Sequence, residues 1–163
     1  MKKRKYYLLA FFFILFFWWW FCLPQFLFNS PTATVLMDEN GVLLNAQIAE
    51  DGQWRFPYND SVPEKFKKAI IEFEDRTYYS HLGVSLRGLA RAIKQNIANG
   101  KVISGGSTIS MQVVRMSRNK PRTFTQKMIE VAWATRLEVK YSKEEILALY
   151  AANAPMGGNV VGL

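Results

Sequence analysis

Three short clusters in this chain hold residues able to do chemistry. The first is Glu74-Asp75, with His81 close behind. The second is Gly105-Gly106-Ser107-Thr108, with Gln112 one helical turn further on. The third is Lys127-Met128-Ile129-Glu130, preceded by Arg115 and Arg122. A carboxylate held near a reacting hydroxyl can take its proton as a general base. Hydroxyls, an amide and the free N–H groups of a helix start suit an anionic phosphate. Lysine and arginine neutralise charge on phosphate oxygens. Lys127 and Glu130 stand three apart and so share a helix face, a spacing that an ordinary surface ion pair explains equally well.

For these groups to meet, the elements between them must hold them. Ser61-Val62-Pro63-Glu64 reads as a capping box with proline in the first turn, and Phe66, Ala69, Ile70 and Phe73 follow at helical spacing. The helix so defined puts Glu74 and Asp75 at its C-terminal end. The helix dipole disfavours negative charge there, so function explains two acids better than helix stability does. A second helix is predicted over 85–98, with Gly100 as its stop. Gly105-Gly106 gives a turn, and Ser107 is the expected N-cap of a helix over 108–116. The longest helix is predicted over 124–140, with Met128, Val131, Ala132, Thr135 and Val139 on one face. Ser142-Lys143-Glu144-Glu145 is another capping box, opening a helix to about residue 152. Upstream, 34–37 and 42–44 flank Asp38-Glu39-Asn40-Gly41 as a β-hairpin, Asn-Gly being the turn signal. Trp54, Phe56 and Tyr58 alternate like the buried face of an extended segment.

A chain of 163 residues suggests one domain. Its net charge is +8, and the distribution is more informative than the total. Lys2, Lys3, Arg4 and Lys5 precede any acid, and residues 85–140 hold eleven Lys and Arg against only Glu130 and Glu138. Such a local excess implies an anionic partner. Residues 8–28 form a 21-residue run without a charge, eleven of them aromatic, about the length needed to cross a bilayer as a helix. No small-x-small cleavage site follows, so an anchor is the expectation rather than a cleaved signal. Four cations before it predict a cytoplasmic N-terminus with everything after Ser30 outside, and Pro24 is expected to kink or end the helix near the outer face. Beside a membrane, lipid headgroups and a diphosphate explain the basic block better than nucleic acid does. The single cysteine, Cys22, excludes an intrachain disulfide.

Residues 74–83, Glu-Asp-Arg-Thr-Tyr-Tyr-Ser-His-Leu-Gly, followed by residues 105–112, Gly-Gly-Ser-Thr-Ile-Ser-Met-Gln, resemble the first two signatures of glycosyltransferase family 51. These are the peptidoglycan polymerases that form the transglycosylase half of class A penicillin-binding proteins. Lys127-Met128-Ile129-Glu130 resembles the end of the third motif, with Gln126 where arginine usually stands. Residues 143–150 resemble the fourth motif, and 154–162 the fifth in its penicillin-binding-protein-1C-like form, toward which Met111 also leans. The resemblance covers roughly residues 32–163.

It implies a mainly α, lysozyme-like transglycosylase domain over 61–163, a linker and small β-hairpin over 29–60 near the membrane, one transmembrane helix over 8–28 and a basic cytoplasmic tail over 1–7. The implied reaction polymerises lipid II into β-1,4-linked glycan, with inversion. Glu74 is the implied base, Asp75 and His81 shape its loop, and Glu130 is a second acid assisting the leaving diphosphate or its metal. Ser107, Thr108, Gln112, Arg115, Arg122 and Lys127 are the implied substrate contacts. Burial beside Tyr78 is expected to favour Glu74 as a base. The resemblance leaves room for a divalent cation, magnesium or manganese, at the diphosphate, and for no organic cofactor. Implied partners are lipid II, the growing glycan strand, the bilayer and other wall-synthesis proteins, in the bacterial inner membrane with the catalytic part periplasmic.

Ser85, Gln126 and Ala152 depart from the family pattern, and none of them is Glu74 or Glu130. Two competitors stand beside this reading, a lysozyme-like glycan hydrolase and an inactive membrane scaffold. A transpeptidase is not encoded here: Ser117-Arg118-Asn119-Lys120 fits Ser-x-x-Lys and Ser-x-Asn at once, which one site cannot do, and Lys-Thr-Gly is missing. The chain is expected to be an N-terminal fragment, since the faces of its last two helices would lack cover.

Overall fold

The computed structural model describes residues 2–163. In chain order it contains α1 (Lys2–Phe21), β1 (Thr34–Met37), β2 (Leu43–Gln47), β3 (Trp54–Arg55), α2 (Glu64–Glu74), a 3₁₀ turn (Tyr78–Ser80), α3 (Leu86–Asn99), α4 (Ile109–Arg118), α5 (Phe124–Lys140), α6 (Lys143–Asn153), β4 (Pro155–Gly157) and β5 (Val160–Val161).

α4 is the centre of the core. It packs on α5 and α6 and buries Ile109, Ser110, Met111, Val113 and Val114. α6 contributes Ile146, Leu147, Ala148, Tyr150 and Ala151, and α5 contributes Ala134 and Leu137. Each fully buried Ile, Leu or Val stabilises the fold by about 1.5–3 kcal/mol. The buried line on α5 is Glu130, Ala134 and Leu137, whereas Met128 and Val139 of the expected apolar face are exposed. Hydropathy misplaced this face because one of its innermost residues is an acid whose charge is satisfied by partners on α4 and α5.

The second capping box forms as expected: Ser142 Oγ accepts from Glu145 N, and the Glu145 carboxylate accepts from Ser142 N. The first does not. α2 begins after Pro63 with no side-chain cap, and Ser61 N donates to Asn59 instead. The hairpin pairs Val35 with Ala46 and Leu36 with Asn45, closed by Asp38, whose carboxylate accepts from Asn40 N and Val42 N. A second sheet, in the order β3-β5-β4, joins the Trp54 segment to the chain's last residues. Tyr58 is exposed, so the expected buried face does not extend that far.

The helix expected over 8–28 differs in extent, and the spanning segment is not confirmed. α1 ends at Phe21, and no helix among the described residues is long and apolar enough to cross a membrane. Tertiary packing provides the reason. Leu27 is buried in the core, Leu23 and Phe28 pack against it, and the chain turns before Pro24. The end of α1 is docked on α5. Trp19 Nε1 donates to Ala132 O and Thr135 Oγ1, while Arg136 donates to Trp20 O and lies 4.5 Å over the Trp20 ring.

Gly83 fixes how closely the loop after the 3₁₀ turn approaches α5. Its φ is +82°, and a Cβ there would stand 2.5 Å from Ala134 O. No other residue fits both constraints.

Candidate active site

Glu74 is the last residue of α2, and Asp75 caps that helix in a non-helical backbone conformation. Glu74 Oε2 accepts from the Gln112 side-chain amide at 2.6 Å, so the first and second clusters meet directly. Asp75 turns the other way. Its Oδ2 accepts from His81 Nε2 at 2.9 Å and from Ile109 N at 3.3 Å, and Thr77 Oγ1 donates to Oδ1 at 3.3 Å. A carboxylate only accepts, so His81 must carry its proton on Nε2. With Asp75 only 7% exposed, this is a buried brace that ties the end of α2 to the start of α4. Neither Asp75 nor His81 is free to bind substrate through these atoms.

Thr108, not Ser107, is the N-cap of α4: its Oγ1 accepts from Met111 N and donates to Gly83 O. This shift by one residue releases Ser107. Ser107 Oγ accepts from Lys127 Nζ at 2.8 Å and Arg115 Nη2 at 3.0 Å. Two incoming donors occupy the oxygen's lone pairs, leaving the hydroxyl proton to donate outward, as an anion requires. Thr108 is buried and spent on the cap, so the hydroxyl on offer is that of Ser107.

Glu130 is 7% exposed, and both its oxygens are held by cations. Arg115 grips it twice, Nε to Oε1 at 3.0 Å and Nη2 to Oε2 at 3.3 Å, and Lys127 Nζ lies 3.2 Å from Oε2. Burial pushes the Lys127 ammonium below the usual lysine range. Glu130 opposes that shift, while Arg115 and Arg122 add to it. An ammonium held in this way gains from any further anion, and one of its three protons is still available. Arg122 reaches Lys127 only through its charge and is itself exposed. Arg118 donates to Gln126 Oε1 at 2.9 Å and lies 4.4 Å over Trp133, so the glutamine that replaces arginine receives a cation from α4.

Tyr78 does not flank Glu74 as expected. It is fully buried, and its hydroxyl donates to Lys143 O. Burial, then the nearby charge of Glu138, pushes its phenol well above the usual tyrosine range. The aromatic group that senses Glu74 is Tyr150 of α6, whose phenol is pushed up to about 12 by burial first and by Glu74 second.

A cleft of about 490 Å³ runs past these groups, with Glu74 and Asp75 on one side and Gly106, Ser107 and Thr108 on another. Arg87 and Arg91 of α3 also line it. Sequence reading counted them in the basic block without giving them a place. Their four-residue spacing on one helix face was the available signal. No group of three or more His, Cys, Asp or Glu converges among the described residues, and Glu130 is already doubly paired. The described residues therefore form no all-protein cage for a magnesium or manganese ion.

A family model described as Transglycosylase matches residues 40–163. The chain is 40% identical over 132 residues to penicillin-binding protein 1C of Escherichia coli K12, covering 80% of this chain and 17% of that protein. It is 34% identical over 131 residues to penicillin-binding protein 4 of Bacillus subtilis 168, covering 78% and 21%. It is 42% identical over 101 residues to a monofunctional glycosyltransferase of Staphylococcus aureus JH9, covering 61% and 37%. The chain thus spans well under half the length of these curated relatives. Since the family match spans residues 40–163, a stretch that contains Glu74, Ser107, Lys127 and Glu130, the chain belongs to the transglycosylase family.

Proposed function

We propose that this domain is a peptidoglycan glycosyltransferase that extends glycan strands from a lipid-linked disaccharide diphosphate, lipid II. One observation carries the reading: a carboxylate held by a neutral amide and a serine backed by two cations line the same cleft. Glu74 takes the proton of the acceptor sugar's hydroxyl as that oxygen bonds to the donor's anomeric carbon. The bond from that carbon to the phosphate oxygen breaks on the opposite face, which inverts the centre. Its electron pair leaves on the diphosphate, which needs charge neutralisation more than a proton. Ser107, Lys127 and Arg115 supply that neutralisation, with Arg122 at longer range, and Glu130 holds the two nearer cations in register.

Arg87 and Arg91 in the cleft favour a charged donor over a neutral glycan to be hydrolysed. A magnesium or manganese ion would be held mainly by the diphosphate itself, since no cluster of three acids or other ligating side chains converges among the described residues. The aromatic α1 and the basic N-terminal sequence support attachment of the domain to the cytoplasmic membrane, with the cleft on its outer side. The growing strand and other wall-building proteins are the partners this placement supplies.

The test is Glu74→Gln, which keeps shape and hydrogen bonding but cannot accept a proton. Polymerisation of lipid-linked disaccharide in vesicles should fall at least ~100-fold while donor binding is retained. Near-normal glycan synthesis by this variant would overturn the assignment.

A further inference from the structure

Outside the cleft, a buried ionic cluster has no part in the chemistry just described. The Glu138 side chain on α5 is 2% exposed and that of Lys143 is 20% exposed, with Lys143 Nζ 2.7 Å from the carboxylate. Ser110 of α4 donates to the same carboxylate. Burying two charges costs several kcal/mol before their attraction offsets it, and an apolar pair of equal size often does as well or better. Stability alone is a weak reason for such a pair.

Its other contacts supply a better one. Lys143 Nζ also donates to the backbone carbonyl of His81 at 2.7 Å, and its ammonium lies 4.5 Å over the Tyr78 ring. The Tyr78 hydroxyl in turn donates to Lys143 O at 2.6 Å. Lys143 therefore holds the 78–81 turn at both ends, from α6. That turn carries His81, which grips Asp75, and Asp75 accepts from Ile109 N at the start of α4. Glu74 precedes Asp75 directly, and its partner Gln112 lies one helical turn beyond Ile109. The chain of contacts runs without a gap from Lys143 to the Glu74–Gln112 hydrogen bond.

We propose that Lys143, with its charge fixed by Glu138, is a positioning residue that sets the placement of Glu74 against α4. This rests on Glu74 being the base, as proposed above. A misplacement of about 1 Å at a reacting group costs on the order of 100-fold in rate. Loss of the clamp should therefore lower kcat by roughly 10- to 100-fold with KM nearly unchanged.

The double variant Lys143→Met/Glu138→Gln separates this role from simple packing, because it removes both charges and leaves neither unpaired. Its expected signature is a melting temperature close to wild type, a kcat still reduced at least tenfold, and faster amide exchange at Ile109 with core amides of α6 unchanged. The exchange readout reports the Asp75 contact whether or not the chain polymerises glycan. Recovery of kcat, or unchanged Ile109 exchange, in a double variant of normal stability would overturn the proposal. If that variant does not fold, Tyr78→Phe removes only the hydroxyl contact to Lys143. A lowered kcat or faster Ile109 exchange there supports the clamp, and wild-type values for both overturn it. Glu74→Gln assayed in parallel keeps the two ideas apart: activity retained there sinks the base assignment, whereas activity lost there but kept in the double variant sinks only the clamp.

Discussion

Arg115→Ala puts the cationic wall to a quantitative test. The substitution removes two charge-assisted bonds to Glu130 and one to Ser107. Hydrogen bonds to charged groups contribute about 1.5–3 kcal/mol each but are not additive within one network. Stripping a buried charge of its only partner costs about 3–5 kcal/mol. Here Lys127 remains 3.2 Å from the carboxylate, so the cost falls below that range. Side-chain exposure of 24% for Arg115 against 9% for Glu130 lowers it further through solvent screening. We expect a loss of about 2–3 kcal/mol, or a fall in melting temperature of roughly 4–12 °C for a chain of this size. Calorimetry reads the stability, and titration with a diphosphate-bearing donor analogue reads the second effect, weaker binding. Replacing Lys65 or Lys68 on α2 by Ala is the control and should do much less. A melting temperature within about a degree of wild type would mean that the Arg115–Glu130 pair contributes nothing. Equal binding losses from both sets of substitutions would mean that the cations act only as a diffuse attraction to anionic surfaces.

Gly83→Ala should cost about 2–5 kcal/mol, since it adds a left-handed backbone penalty to a clash with Ala134 O. Gly41→Ala has a similar φ but open space around it, and should cost only about 1 kcal/mol in the same melting assay. Lys127 should titrate at still lower pH in Glu130→Gln, because that change removes the contributions that raise its pKa and leaves Arg115 and Arg122 in place. A lysine whose folded pKa is depressed binds fewer protons folded than unfolded, so stability rises with pH between its folded value and the ordinary lysine value. In the variant that rise should begin at lower pH, and an unchanged or upward shift of the Nζ resonance titration would refute it. Tyr150, raised to about 12, has the opposite linkage for stability: its contribution is full below the ordinary tyrosine value and is lost as pH rises through about 12. Alkaline melts should show the fold weakening across that window, and a Tyr150→Phe variant should weaken less.

Local order along the chain was legible in the sequence wherever a short-range rule decides it. The Ser142–Glu145 box, the stop at Gly100, the Asn40-Gly41 turn and the bounds of α5 follow from contacts within one or two turns, and each stands as read. Glu74, Asp75, Ser107 and Thr108, which line the cleft, were named from residue type together with the family resemblance, whereas Arg87 and Arg91 were not. What their partners are was decided only by tertiary structure. Ser107 and Thr108 are equally good caps by type. Thr108 takes the cap because its hydroxyl can also reach Gly83 O, and this leaves Ser107 to the two cations. Asp75 stands next to Glu74 in sequence but faces His81 and Ile109, because its backbone leaves the helical conformation there and turns the two side chains apart. The apolar run over 8–28 satisfies any local measure of a spanning helix. Pro24 signals locally that the helix can end before it, but that Leu27 then packs into the core cluster with α4 and α6 is decided by contacts no window of sequence contains.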